Sequence, residues 1–262
     1  MKIKIAVCAV MVLLAAPAVS AARWGTEFVG SSWKMDGKEF IKTMNTYKAI
    51  ATDYPGLGMT GEVAQGKLGG AAVFFVEGNS RFRLGLAAGY GVMPTVSGRL
   101  DLTGGWNGHL DIENKITYVP LDLYFKFTSK GGKFSLSGGG GADYVMAGTD
   151  YKDVYSGGVD KGTFTQKKVM PHVQAGCELF LAKWLSLNVG AKYLFSAVLD
   201  NLNGKVMEGG VDKGKNRLIM TKDPTYGDYF GYTAAALASD ERPFKYDLSG
   251  LRANLGLRIY FN

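Results

Sequence analysis

The sequence predicts an all-β protein: an eight-stranded antiparallel transmembrane β-barrel with four long outer loops, after a cleaved signal peptide. Three observations carry this. Segments of about ten to fourteen residues alternate apolar and polar side chains with the period of a strand. The connections between them are alternately short and long. The longest apolar run beyond the N-terminal segment, Leu68 to Val76, is far below the ~18 residues of a transmembrane helix.

The N-terminal segment reads as an address. Lys2 and Lys4 precede an apolar stretch from Ile5 to Ala16, and Ala18, Ser20, Ala21 and Ala22 supply the small residues of a cleavage site. Residues 1–22 are expected to be a secretory signal peptide and residues 23–262 the barrel domain. A lipoprotein would carry cysteine at the cleavage site, and Cys8 sits too early. Cys177 is then the single cysteine of the mature chain, so no internal disulfide staples it. An apolar fraction of 47% excludes a mostly disordered chain.

The strands can be taken in order. Segments 24–33 and 67–77 alternate poorly, 82–93 better. In 115–127, Val119, Leu121, Leu123, Phe125 and Phe127 oppose Tyr118, Asp122, Tyr124 and Lys126. Segment 133–146 sets Ser135, Ser137, Gly139, Gly141 and Asp143 on one face. In 168–180, Val169, Val173, Ala175, Cys177 and Leu179 oppose His172, Gln174, Gly176 and Glu178, and 184–198 repeats the pattern. The last segment is the clearest: Leu251, Ala253, Leu255, Leu257, Ile259 and Phe261 oppose Arg252, Asn254, Gly256, Arg258 and Tyr260. The long connections are 34–66, 94–114, 147–167 and 199–248. Short turns on one side and long loops on the other are the habit of a membrane barrel. An even strand count closes the sheet, so no edge meets lipid.

Two closed barrels compete, since a soluble lipocalin-like binder would point its apolar face inward. The polar face arbitrates. It is rich in glycine and serine with few charges, which suits a narrow lumen rather than a water-facing exterior. Lumen cations are then Arg83, Lys126, Lys192, Arg252 and Arg258, and lumen anions are Glu27, Glu77, Asp122, Asp143 and Glu178, with His172 beside them. Balanced, paired charge is the tolerable filling of a low-dielectric interior. Aromatic residues form two expected girdles. Tyr90, Tyr144, Tyr193 and Phe195 lie toward the long loops. Phe125, Phe127, Phe134, Phe180, Trp184, Tyr260 and Phe261 lie toward the short turns.

With the signal peptide, the run Tyr246-Asp247-Leu248-Ser249-Gly250-Leu251 and the ending Leu255-Gly256-Leu257-Arg258-Ile259-Tyr260-Phe261, the chain resembles the small Gram-negative outer-membrane barrels of the OmpA transmembrane-domain, OmpX and OmpW type. The resemblance implies an integral outer-membrane protein. It also implies a C-terminal signal at Tyr260 and Phe261 read by the barrel-assembly machinery, although Asn262 follows. It supplies no catalytic residues. The role it implies is structural, or passage or binding of a small hydrophobic solute.

Motifs for chemistry are weak. Gly56-Leu57-Gly58-Met59-Thr60-Gly61 fits a dinucleotide fingerprint only in the wrong context, a loop with no preceding strand. His109 and His172 lie in no nucleophile motif. The expectations are therefore no enzymatic activity, no cofactor and no metal, the alternative being a lipid A-modifying enzyme using His172 or His109. Gly-Gly-Val-Asp-Lys-Gly occurs at both 157–162 and 209–214, which turn chemistry explains. Lys38 to Ile50 suits a short amphipathic helix with Phe40, Met44 and Tyr47 on one side.

The basic balance, 30 Lys+Arg against 23 Asp+Glu, invites a nucleic-acid reading. The distribution argues otherwise. The long connections hold 15 Lys+Arg and 18 Asp+Glu, while the rest of the mature chain holds 13 and 5. Arg23, Lys67, Arg81, Lys115, Lys130, Lys133, Lys168 and Lys183 fall at strand ends, where lipid phosphates lie. Expected partners are outer-membrane lipids and lipopolysaccharide, not nucleic acid, with any small ligand unknown.

Overall fold

The computed structural model describes residues 22–32, 38–104, 108–155 and 157–261. Among them are sixteen strands and one helix. The expected signal peptide lies outside the described residues except for Ala22, and so does Asn262. In chain order the elements begin β1 (Ala22–Ser32), α1 (Lys38–Thr52), β2 (Gly58–Gln65), β3 (Leu68–Gly78), β4 (Phe82–Val92), β5 (Val96–Thr103) and β6 (His109–Thr128). Then come β7 (Phe134–Tyr155), β8 (Gly158–Ala182), β9 (Leu185–Leu194), β10 (Val198–Leu199), β11 (Asn203–Glu208) and β12 (Val211–Asp223). Last are β13 (Gly227–Thr233), β14 (Glu241–Pro243), β15 (Tyr246–Asp247) and β16 (Gly250–Phe261).

A ring of antiparallel pairings runs β1–β3–β4–β6–β7–β8–β9–β16 and returns to β1. The seam is in register from Trp24 opposite Phe261 to Ser31 opposite Asn254. The turns at 79–81, 129–133 and 183–184 share one end of the ring, here the lower end, with both described chain ends. Gly132 takes a positive φ of 68° in the middle turn, where its N–H donates to Ser129 O at 3.0 Å.

Eight strands parted by loops needs correction. Residues 34–66 hold α1 and β2, 94–114 hold β5 and the start of β6, 147–167 continue β7 and β8, and 199–248 hold β10 (its second residue) to β15. β6 shows why these were not read as strands. Its even residues face inward along its whole length. In the lower half the inward residues are Tyr124, Lys126 and Thr128, while Leu121, Leu123, Phe125 and Phe127 are exposed. In the upper half the inward residues are Leu110, Ile112 and Ile116, while Asp111, Glu113 and Lys115 face out. The strand keeps its direction and exchanges its chemistry. An apolar-out pattern followed into the upper half looks broken, because its phase has inverted.

The upper halves of β6, β7 and β8 carry the same sheet into a second run of pairings, β2–β5–β6–β7–β8–β11–β12–β13. Its two edges, β2 and β13, are bridged by α1. Lys48 Nζ donates to Gly61 O in β2 at 2.8 Å, and the Tyr47 hydroxyl to Phe230 O in β13 at 3.0 Å. Lys42 Nζ lies 2.7 Å from Asp228 Oδ2. Phe40 and Met44 are buried from the helix inward. Phe40 packs edge-on against Phe230 at 5.1 Å. Gly98 in β5 leaves the space that the Met44 methyl fills. One apolar core fills this layer, including Leu100, Phe164, Val206, Met220 and Phe244. Three shared strands thus join a lower ring, apolar outside and polar inside, to an upper half-barrel of opposite polarity.

Segment 67–77 alternates poorly for a local reason. Val73 and Phe75 of β3 point inward as well, and Phe75 stacks edge-on with Tyr260 at 5.1 Å.

Candidate functional site in the barrel lumen

Inward parity carries ten charged side chains and His172 into the lower ring, where they gather at two heights. The lower group holds Glu27, Glu77, Arg83, Lys126, Glu178 and Arg258. Arg83 Nε lies 3.0 Å from Glu77 Oε1, and Lys126 Nζ 2.9 Å from Glu77 Oε2. Lys126 also pairs with Glu178. Arg258 Nε lies 2.7 Å from Glu27 Oε2, its register partner. Neutral donors complete the group: Tyr124 to Glu77 at 3.2 Å, Tyr260 to Glu178 at 2.5 Å, Asn188 to Glu27 at 2.6 Å, and Ser186 to Glu178. Gly256 leaves the space that the Glu27 carboxylate occupies. A side chain there would push Glu27 off Arg258.

The upper group holds Asp122, Asp143, His172, Lys192 and Arg252. His172 sits between the carboxylates, Nε2 2.6 Å from Asp122 and Nδ1 3.4 Å from Asp143. Lys192 Nζ lies 3.5 Å and 3.3 Å from the same two acids. Arg252 Nη1 lies 3.9 Å from Asp143, and its Nη2 donates to Leu248 O at 3.0 Å. Between the groups is a cavity of about 80 Å³ with a lining of mixed polarity, including Glu27, Asp122, Tyr124, Lys192, Arg252 and Arg258. At roughly 10–15 Å³ per water, it has room for a handful of waters. The lumen therefore has two charged layers with a small chamber between them, rather than one continuous filling.

The remaining expected positions divide. Phe125, Phe127, Phe134, Trp184 and Phe261 face outward near the lower end and Tyr90, Tyr193 and Phe195 near the upper limit of the apolar face. Phe180 and Tyr260 do not join a girdle. Strand parity turns them inward, and Tyr260 lies under the Arg23 guanidinium at 4.1 Å. Of the C-terminal pair, only Phe261 faces out, against Trp24 at 5.0 Å. Lys168 also turns inward, its Nζ donating to Val198 O at 2.7 Å, because Val169 takes the outward position. His109 opens β6 rather than lying in a loop, and its Nε2 is 3.3 Å from Asp111. The side chain of His172 is fully buried in the lumen, away from any lipid outside, whereas that of His109 is partly exposed. Gly56 to Gly61 is a turn into β2 with no helix after it. The two Gly-Gly-Val-Asp-Lys-Gly copies meet at neighbouring hairpin tips, where Gly209 N–H donates to Asp160 at 2.8 Å. Among the described residues no cluster of three or more His, Cys, Asp or Glu is arranged for a metal ion.

Sequence reasoning missed the polar contacts of the upper layer. Thr149 donates to Asn114 at 2.7 Å and lies 3.2 Å from the Tyr246 hydroxyl, all within the apolar core. Lys42 and then Arg242, beside Asp228, hold its carboxyl below the usual carboxylate range. Burial, and then Asp160 directly opposite, push the Asp153 carboxyl up.

No protein-family model and no curated protein matches the chain. Among solved structures it is similar to the outer membrane protease OmpT from Escherichia coli, at 9% identity and a TM-score of 0.42, over 92% of this chain and 95% of that one. It is also similar to a mutant of the TodX monoaromatic hydrocarbon channel, at 8% identity and a TM-score of 0.19, over 92% and 91%. Both neighbours are outer-membrane β-barrel proteins. At such scores no residue role, substrate or activity passes to this chain. The expectation of no enzymatic activity is corrected all the same: the first neighbour is a protease, and that exclusion is withdrawn.

Proposed function

We propose that this chain is exported by residues 1–22 and inserts in the outer membrane as an eight-stranded barrel of the OmpA, OmpX and OmpW kind. Its lumen is closed to bulk diffusion, and it serves as the anchor of a folded extracellular half-barrel. One observation carries the reading: the inversion along β6. Leu121, Leu123, Phe125 and Phe127 are 45%, 46%, 51% and 49% exposed, while Lys126 between them is 1% exposed. Water does not stabilise that arrangement, and a lipid surround does. From Val119 to Phe127 is nine residues, within the roughly 9–11 of a tilted membrane strand. On this reading the outer surface of the bilayer lies at the inversion near Thr117.

Two charged layers and the apolar core above them stand across any path through the lumen, which supports a structural role over passage. The test joins two measurements. On unboiled gels the outer-membrane fraction should show a band that shifts on heating. In planar bilayers the protein should give no large, steady conductance. A protein soluble in the periplasm without detergent sinks the membrane reading. A stable open pore sinks the closed lumen.

A further inference from the structure

The stretches holding 15 Lys+Arg and 18 Asp+Glu are acidic in sum, yet their strands sort the charges by face. Above the apolar surface, the outward positions of β6, β7, β8, β11 and β12 form three adjoining register rows. The first is Thr117, Met146 and Lys167. The second is Lys115, Gly148, Thr165, Asn203 and Arg217. The third is Glu113, Asp150, Thr163, Lys205 and Lys215. Lys115 is occupied by Glu113 at 2.9 Å, and Asp150 accepts from Thr163 at 2.9 Å. Lys167, Lys205, Lys215 and Arg217 make no ion pair among the described residues. The Arg217 Nε is buried without a hydrogen-bond partner among them. With strands ~4.8 Å apart and paired rows ~7 Å apart, the four cations lie within about 20 Å of one another.

Directly below Lys167 on the same outward face come Val169 and Val173, 59% and 48% exposed. The surface is therefore amphipathic in one direction: apolar below, cationic above. An amphiphile with hydrocarbon chains and anionic headgroup groups matches it in both parts.

We propose that Lys167, Lys205, Lys215 and Arg217 form a seat for the phosphate groups of lipopolysaccharide in the outer leaflet, with its acyl chains against the valines of β8. This rests on the membrane reading above. Each cation near a charged lipid surface contributes modestly, and Arg217 is only partly exposed, so the seat acts through the group and weakens with salt.

The test titrates folded, detergent-solubilised protein with fluorescent lipopolysaccharide, and with the same lipid after enzymatic removal of its phosphates. The wild type should bind the phosphorylated lipid about tenfold or more tightly than the dephosphorylated one, and K205E/K215E should lose about as much. K205R/K215R should bind as the wild type does. Charge reversal at Lys130 and Lys133, at the opposite end, should change nothing. Where K205E/K215E does not reach the heat-shifted form, K167Q and R217Q serve, each with a smaller loss. A folded wild type that binds both lipids equally, or charge-reversed variants that bind as well as wild type, overturns the seat alone. A wild type with no heat-shifted form overturns the membrane reading instead.

Discussion

The lower ring and the upper half-barrel share three strands and have opposite chemistry. Below Thr117, stability rests on ion pairs inside and apolar contact outside. Above it, Phe164, Met220 and Phe244 fill the inside and lysines and acids meet water. The strand itself is indifferent to this exchange, since its register with β7 runs without a shift from His109–Val154 to Thr128–Ser135. Surroundings, not secondary structure, decide which face is apolar.

Mutations can break the comparison from either side. The largest effect is expected at Lys126→Ala. It removes the cation that Glu77 and Glu178 share, leaving two buried carboxylates to Arg83, Arg258 and neutral donors, and removing one partner of a buried pair costs about 3–5 kcal/mol. The midpoint of loss of the heat-shifted band in urea reads it. Phe244→Ala should cost the upper layer about 3–5 kcal/mol as well. It should leave the lower ring's heat-shifted band in place while hydrogen exchange speeds up in α1 and β11 to β13. If both variants lose both regions together, the two layers are one cooperative unit.

A pair of outward changes on β6 sharpens the boundary. Leu123→Lys, in the apolar face, should cost about 2–4 kcal/mol at the bilayer midplane. Glu113→Gln, one strand-length higher, should stay within about 0.5 kcal/mol. Equal costs at the two positions would place both in water and remove the boundary.

Much of the lower ring is legible in the sequence because one phase of alternation persists across each segment. Leu251 to Phe261 shows both faces without any contact information. The upper layer is not legible for the same reason inverted: Leu110, Ile112 and Ile116 continue the period but on the other parity, so the pattern reads as loop. Residue types in the lumen were readable by parity, whereas their grouping at two heights depends on ring closure. Nothing local pairs Glu27 with Arg258 across the whole chain. Tyr260 and Phe180 were misplaced where aromatic character was weighed above parity. The basic patch was invisible while its lysines were counted as loop charge.

Two smaller effects depend on pH, and both belong to the upper layer. The Asp228 carboxyl is held low by Lys42 and Arg242, so its contribution is present above the ordinary carboxylate value and is lost as pH falls through the lowered one. Hydrogen exchange in α1 should therefore quicken below about pH 4, and Asp228→Asn should abolish that dependence. Asp153 runs the other way. Its raised carboxyl opposes folding at neutral pH, and that cost fades as pH falls toward the ordinary value. Asp153→Asn should stabilise the β7–β8 tip by a few tenths of a kcal/mol at pH 7, with the gain gone by about pH 4. Exchange rates across 150–162 that are the same in both proteins at pH 7 would count against it.

The seam between Trp24 and Phe261 joins the first described strand to the last. No partial chain can make it. Every strand from β3 to β9 can find a neighbour as the chain lengthens, but β1 must wait with one edge unpaired until Gly250–Phe261 arrives. Closure spans nearly the whole described chain, so its entropy falls on a single late event. Closure of the ring is in that sense held open until the last strand is available, and the twelve residues of Gly250–Phe261 act as the trigger.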